Sequence, residues 1–186
     1  MTGVIAIVSD LHGKSNVLKK LMIDVFPAVN EIWWLGDLFY SYKEDKVAMT
    51  ESTNVLKTLL DYKDKPCTYI KGNTDSIKGF QDFDDQFESD TIVKKQLGND
   101  TIVLTHGHLH ETHTALINLA KGNKSQIVLS GHTHIPLLTV EDNIILVNPG
   151  SPSIPRDEEE TPTYILFNTE KKHFQLIHLL TGSVLN

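Results

Sequence analysis

With 186 residues, 40% of them hydrophobic, the chain is long enough for one domain with a substantial core and short for two, so residues 1–186 read as a single domain. Its 17 basic and 24 acidic residues give a formal charge of −7, a field that repels polyanions and argues against general nucleic-acid binding. The longest apolar runs, such as 4–8 and 144–147, fall far below the roughly 20 residues of a spanning helix, and residues 1–8 lack the basic start of a signal peptide; no membrane association and a cytoplasmic location are expected.

In chain order, the first half alternates short apolar runs with amphipathic stretches, the pattern of βαβ units on a parallel sheet. Residues 4–8 (Val-Ile-Ala-Ile-Val) read as a buried strand. Beyond Gly13 and Lys14, Val17, Leu18, Leu21, Met22, Val25 and Phe26 follow helical spacing until Pro27 interrupts it. A second strand is expected over 32–35, then a helix with Val55, Leu56, Leu59 and Leu60 on one face, then a strand over 68–70. Trp33 and Trp34 fit either a core strand or an apolar surface for a homo-oligomer. The single cysteine, Cys67, reads as a buried structural thiol rather than a nucleophile.

In the second half, strands over 101–105 and 127–130 flank an expected helix from about Thr112 to Lys121 that stops at Gly122. Another sheet is expected to begin there. Runs 137–140 and 144–147 are joined by Glu141-Asp142-Asn143, a hairpin turn, and 164–167 with 174–180 complete an antiparallel tail. Segments 39–46, 78–90 and 152–162 show the least organisation, and the acidic run 157–160 reads as a solvated loop.

Candidate metal ligands collect where strands end, the position at which α/β sheets gather ligand sites. These ends read Asp10-Leu11-His12, Gly36-Asp37, Gly72-Asn73-Thr74-Asp75, His106-Gly107-His108 and Gly131-His132-Thr133-His134. An extended segment would point residues two apart to one side, so Asp10 and His12 could chelate one ion. A bend at Gly131 would instead turn His132 and His134 toward different ions. Taken singly, Asp10 or Asp75 could cap the segment that follows, and Asn73 could make a turn. Seven of the nine histidines, however, lie at 12, 106–113 and 132–134, and structural needs alone do not place histidines at consecutive strand ends. His110 and His113 read as part of the helix entry.

This series of motifs, closed by Asn148-Pro149-Gly150-Ser151, resembles the calcineurin-like metallophosphoesterases, in particular their compact bacterial and archaeal phosphodiesterases. The resemblance runs from Asp10 to Ser151. It implies an α/β fold, a four-layer αββα sandwich with two mixed β-sheets flanked by helices. It also implies two divalent transition-metal ions per chain, one held by Asp10, His12 and His134, the other by Asn73, His106 and His132. Asp37 would bridge them, with solvent or hydroxide as the second bridge. Carboxylate, imidazole and amide oxygen together suit Mn, Fe, Zn, Ni or Co, with manganese the first expectation.

The implied activity is hydrolysis of a small phosphodiester by attack of the bridging hydroxide. A phosphomonoesterase or nuclease with the same site is the alternative. So is a non-catalytic protein-binding scaffold, as in a retromer subunit resembling this family; that relative lacks the bridging Asp and changes the Asn ligand, whereas Asp37 and Asn73 are kept here. Many relatives carry His, the proposed general acid, where this chain has Thr74. His108 is then the expected catalytic and substrate-binding residue, with Asn73 a second substrate contact. Arg156, the only arginine, either reaches phosphate or pairs with the acidic run beside it.

Overall fold

Period-two burial organises the molecule. In β1 (Val4–Val8) and β2 (Glu31–Trp34), Ile5, Ile7 and Trp33 face one way, and Ala6, Val8 and Trp34 the other. Both faces are covered, so these strands are apolar almost throughout. The computed structural model describes residues 3–40, 45–75, 81–89 and 91–185.

On the face of that sheet that carries Ala6, Val8 and Trp34 lie α1 (Ser15–Asp24) and α2 (Lys46–Asp61). Leu18, Leu21, Val55, Leu56 and Leu59 pack there on Trp34 and on Tyr69 of β3 (Cys67–Ile70). The opposite face packs on a second sheet that includes β6 (Asp100–Thr105), β7 (Ile127–Leu129) and β9 (Ile144–Pro149). Ile102, Leu104, Leu129 and Val147 meet Ile7 and Trp33 in this central layer. Val103, Val128 and Leu146 point outward onto Leu116, Ile117 and Ala120 of α3 (His113–Gly122). The result is the expected four-layer αββα sandwich. Both tryptophans are buried, the core-strand reading. No helix of the described residues is long and apolar enough to cross a membrane.

The remaining strands are β4 (Phe87–Ser89), β5 (Ile92–Leu97), β8 (Pro136–Glu141), β10 (Thr163–Asn168) and β11 (His173–His178). The sheet orders are β11-β10-β1-β2-β3-β4 and β5-β6-β7-β9-β8. Both sheets are mixed: β1 pairs parallel with β2 but antiparallel with β10, and β7 pairs parallel with β6 and β9 while β8 runs antiparallel to β9. The C-terminal hairpin therefore joins the first sheet, with Val4 opposite Asn168 and Ile7 opposite Ile165.

Local signals explain most element ends. Thr112 caps α3 by accepting the Ala115 N–H at 3.1 Å. Asp142 and Asn143, at φ of 50° and 61°, form the two-residue turn between β8 and β9. Elsewhere the elements depart from expectation. Helix α1 stops at Asp24, and Pro27 sits inside a separate 3-10 turn, Phe26–Ala28. Strand β9 runs through Asn148 and Pro149, so the loop begins only at Gly150. Of the segments expected to be irregular, residues 41–44, 78–80 and 90 lie outside the described residues. A 3-10 turn, Gln81–Gln86, and β4 occupy most of the second, because Phe83 is buried among Phe39, Tyr69 and Phe87 at ring separations of 4.9 to 5.4 Å. Cys67 is half-buried; burial raises its thiol pKa.

Candidate metal centre

Five parallel strands, β1, β2 and β3 in one sheet and β6 and β7 in the other, deliver the motif residues to one end of the sandwich. The strand ends are stitched together by backbone: the Asp10 N–H donates to Gly36 O at 3.0 Å, His12 N–H to Asp37 O at 2.9 Å, and Gly131 N–H to His106 O at 2.9 Å. Such close approach excludes side chains. A Cβ at Gly36 would lie 2.6 Å from His106 Nδ1 and 2.8 Å from the Gly72 Cα.

Asp10, His12, Asp37, His132 and His134 all adopt positive φ, between 47° and 71°. Side chains seldom tolerate this region, and it concentrates at functional sites where the surroundings enforce it. Asp10 and His12 converge, but through two left-handed residues rather than along an extended segment.

Two triads result, each with donor atoms within 4.8 Å of one another: Asp10, His12 and His134, and Asp37, His106 and His132. In the first, His134 Nε2 lies 3.3 Å and His12 Nε2 3.8 Å from Asp10 Oδ1. In the second, His106 Nε2 lies 3.4 Å from Asp37 Oδ1 and 3.0 Å from Asn73 Oδ1. The other Asp37 oxygen, Oδ2, lies 3.7 Å from His12 Nε2. His132 and His134 thus separate into different triads, as a bend at Gly131 requires.

Hydrogen bonds set which nitrogen of two rings faces inward. His106 Nδ1 donates to Leu35 O at 2.7 Å and His134 Nδ1 to Ile154 O at 2.6 Å. A carbonyl only accepts, so the proton sits on Nδ1 and the Nε2 lone pair is left for a cation. Asp10 Oδ1 is buried without a hydrogen-bond partner among the described residues, and it points at the gap between two imidazole nitrogens. An unpaired carboxylate oxygen is costly there unless it binds a cation, so the donor set fits divalent metal.

The protonation equilibria show the same convergence. Burial pushes the Asp37 pKa up, yet the His106 hydrogen bond and charge, the Thr74 N–H and His12 hold it well below the usual carboxylate range. Burial works to lower His106, but the hydrogen bond and charge of Asp37, with Asp10, hold it at about 9. For His12 burial prevails over the same carboxylates and the pKa falls.

Residues 4–172 match the calcineurin-like phosphoesterase superfamily domain. The chain belongs to that superfamily. The probable metallophosphoesterase MG207 of Mycoplasma genitalium is 31% identical over 121 residues, which are 61% of this chain and 68% of that protein. The phosphodiesterase YfcE of Escherichia coli K12 is 40% identical over 55 residues, 30% of this chain and 28% of its own length. A solved structure of E. coli YfcE, described as a phosphoesterase, shares the fold with a TM-score of 0.74 at 21% identity, covering 98% of this chain and 97% of its own. So does Entamoeba histolytica Vps29 complexed with zinc, at TM-score 0.64 and 20% identity over 97% and 95% of the two chains.

Around the triads of this phosphoesterase domain, His108 lies on the Asp37 side, its ring centroid 5.4 Å from that of His106 and 6.2 Å from that of His132. Burial and the charges of His106 and His132 lower its pKa. Fully buried, Asp75 accepts N–H groups from Phe39 at 3.0 Å and Gly72 at 2.9 Å; the segment it was expected to cap, 76–80, lies outside the described residues. Asn148 donates to Gly131 O at 2.8 Å, and Ser151 to Asp10 O at 2.8 Å, so the Asn-Pro-Gly-Ser segment braces both triads. Arg156 makes no ion pair with the acidic run among the described residues; its backbone N–H donates to His134 O at 3.1 Å. His113 stands at the helix entry as expected, paired with Glu141 at 2.7 Å.

Glu111 escaped the sequence reading. Its Oε1 lies 3.7 Å from His132 Nε2, but a lone acid just before a helix carries no signal that separates it from a first-turn residue.

Proposed function

We propose that this chain is a two-metal phosphodiesterase acting on a small diester, with manganese the preferred ion. The observation that supports it best is the Asp37 carboxylate, whose oxygens face one imidazole from each triad, at 3.4 and 3.7 Å. Two ions that share a bridge need this arrangement. When bound, such ions supply positive charge to phosphoryl oxygens and activate a water as nucleophile. In this reading Asp10, His12 and His134 hold one ion, Asn73, His106 and His132 the other, and Asp37 both.

The remaining groups orient the ester. His108, kept neutral by burial and neighbouring imidazoles, donates an N–H to a phosphoryl oxygen, as does the Asn73 amide. Glu111, 3.7 Å from His132 Nε2, places negative charge where a substrate phosphate approaches. A terminal phosphate carries about two charges at neutral pH and an internal diester one, so the carboxylate disfavours the monoester more. Glu111 is largely exposed, with a side-chain accessibility of 71%, and water screens the effect to a modest factor. Cytoplasmic operation by residues 1–186 as one domain belongs to the same reading.

Chelation and dialysis should abolish activity, and manganese should restore it with about two ions per chain. Bis(p-nitrophenyl) phosphate should be turned over faster than p-nitrophenyl phosphate, and Glu111→Gln should narrow that preference several-fold. Full activity in rigorously metal-free protein would refute the mechanism. A metal-loaded protein inert toward every phosphate ester would favour the non-catalytic scaffold alternative.

A further inference from the structure

Beside the second triad lies a cavity of about 170 Å³, between the segment leading into α3 and the start of β8. Gly107, Gly131 and Thr133 line it, each adjoining a candidate ligand in sequence. Glu111 lines it too while its Oε1 reaches to 3.7 Å from His132 Nε2. The cavity therefore adjoins the edge of the centre, with Glu111 standing between the two.

Its walls are mostly apolar, formed by Leu116, Ile135, Pro136 and Leu137, and several polar groups in them are already engaged. Asn148 donates to Gly131 O and to Thr133 Oγ1 and accepts from Gly150 N–H. Thr133 Oγ1 also accepts the Ile135 N–H at 3.2 Å, and His113 is paired with Glu141. His110 Nδ1, in contrast, is buried with no hydrogen-bond partner among the described residues. Water filling such a space would find few partners, and ordered buried water needs two to four of them.

Size narrows the occupant. Sites for drug-sized ligands span roughly 300 to 1,000 Å³, whereas an apolar cavity of about 150 Å³ suffices for benzene. One six-membered ring fits; a nucleoside does not. Glu111 in the wall disfavours an anionic substituent, and the apolar side chains opposite it suit an uncharged ring.

We propose that this cavity is a subsite for one compact, uncharged aromatic substituent of the phosphate ester, an inference that rests on the phosphoesterase reading above. The phosphoryl group lies at the triads, and the ring enters between Glu111 and Ile135 toward Leu116, Leu137 and His110.

Calorimetric binding of phenylphosphonate and methylphosphonate to the manganese-loaded full chain tests this without relying on turnover. Burying a ring should make phenylphosphonate bind about tenfold more tightly. Leu137→Trp, which fills the cavity, and Ile135→Asp, which charges its wall from a half-exposed position, should each reduce that ratio to less than about threefold. Thermal melts identify a variant that fails to fold, and the other then decides. Equal affinities in the wild type, or a preference that survives in the folded variants, overturn the subsite alone. If neither phosphonate binds the wild type, the subsite is overturned, and absence of turnover of bis(p-nitrophenyl) phosphate by the same preparation tells whether the phosphoesterase reading falls with it.

Discussion

The Asp10 carboxylate reaches across from one triad to the backbone of the other, where its Oδ2 accepts the His132 N–H at 2.9 Å. Its Oδ1 meanwhile faces His134 Nε2 at 3.3 Å. In the two-metal reading, one side chain would thus serve an ion directly and fix a ligand of the second. Asp10→Asn can keep an oxygen on the His132 N–H and should lose mainly the first ion. Asp10→Ala removes both, and should also lower stability by about 1 to 3 kcal/mol, the cost of an orphaned buried donor. Metal analysis and urea unfolding of the two variants check this; identical metal contents would count against the coupling.

Asp37 has the converse position, a single carboxylate with an oxygen toward each triad. Asp37→Asn should reduce loading of both ions and lower activity at least tenfold further than His12→Ala, because a bridging position enters both binding equilibria. Inductively coupled plasma mass spectrometry on dialysed protein measures the loading. Wild-type metal content in Asp37→Asn would exclude bridging.

Proton competition follows from the His106–Asp37 pair. Without ions, Asp37 and Asp10 outweigh burial and hold His106 at about 9, above its ordinary value of 6.5. A raised folded pKa means that the charged pair contributes stability fully below about pH 6.5 and loses it as pH rises through about 9. The chelated protein should therefore lose this contribution between those pH values. Metal needs the neutral ring, so the metal-loaded state should behave oppositely. Manganese affinity should rise with pH up to about 9, with about one proton released from His106 per chain at pH 7. Calorimetry in buffers of different ionisation enthalpy measures that release, which His106→Gln should remove.

Much of this centre was legible because its chemistry is written in residue types at strand ends: no packing need explains Asp10, Asp37, His106 and His132 together. The layers were legible for a similar reason, since alternation in β1 and β2 tells which face each side chain takes. Sheet membership was less so. Residues 164–167 are apolar on both faces whichever sheet they join, and only the pairing of Ile165 with Ile7 settles it. Strand β5 carries Lys94 and Lys95 near an edge, which breaks the apolar run that marks other strands. Glu111 and Asp75 act through tertiary proximity, which no local pattern encodes.

The left-handed backbone at the triad residues was illegible too, because Asp and His, although they take this conformation more often than most side chains, give far less warning than glycine. It has a measurable consequence at His132, where φ is 71°. At an ordinary position Gly is less stable than Ala by about 0.5 to 1 kcal/mol. Here the order should invert: His132→Gly should exceed His132→Ala in stability by about 1 kcal/mol in chelated protein, since a Cβ is disfavoured in this region by about 1 to 2 kcal/mol. Urea unfolding of the pair decides it, and the usual order would mean that the loop relaxes.

Departure of the leaving group gives the last expectation. Thr74 is turned inward, its hydroxyl donating to Phe39 O at 2.9 Å and its N–H to Asp37 Oδ1 at 2.9 Å, so it cannot protonate the ester. His108, lowered below its ordinary pKa by burial and by His106 and His132, is neutral near pH 7 and a weak acid. A site without a strong proton donor forgoes the roughly 10² to 10⁴-fold that general acid catalysis contributes. Aryl diesters should then outpace alkyl diesters by at least about 10²-fold. His108→Ala should slow both by a similar factor, about tenfold, if its N–H binds a phosphoryl oxygen. A much larger loss for the alkyl ester, at unchanged metal content, would instead assign His108 the proton transfer. Turnover of both substrates by wild type and His108→Ala, each with bound metal quantified, separates these outcomes, and a wild type indifferent to the leaving group would mean that a step other than chemistry limits the rate.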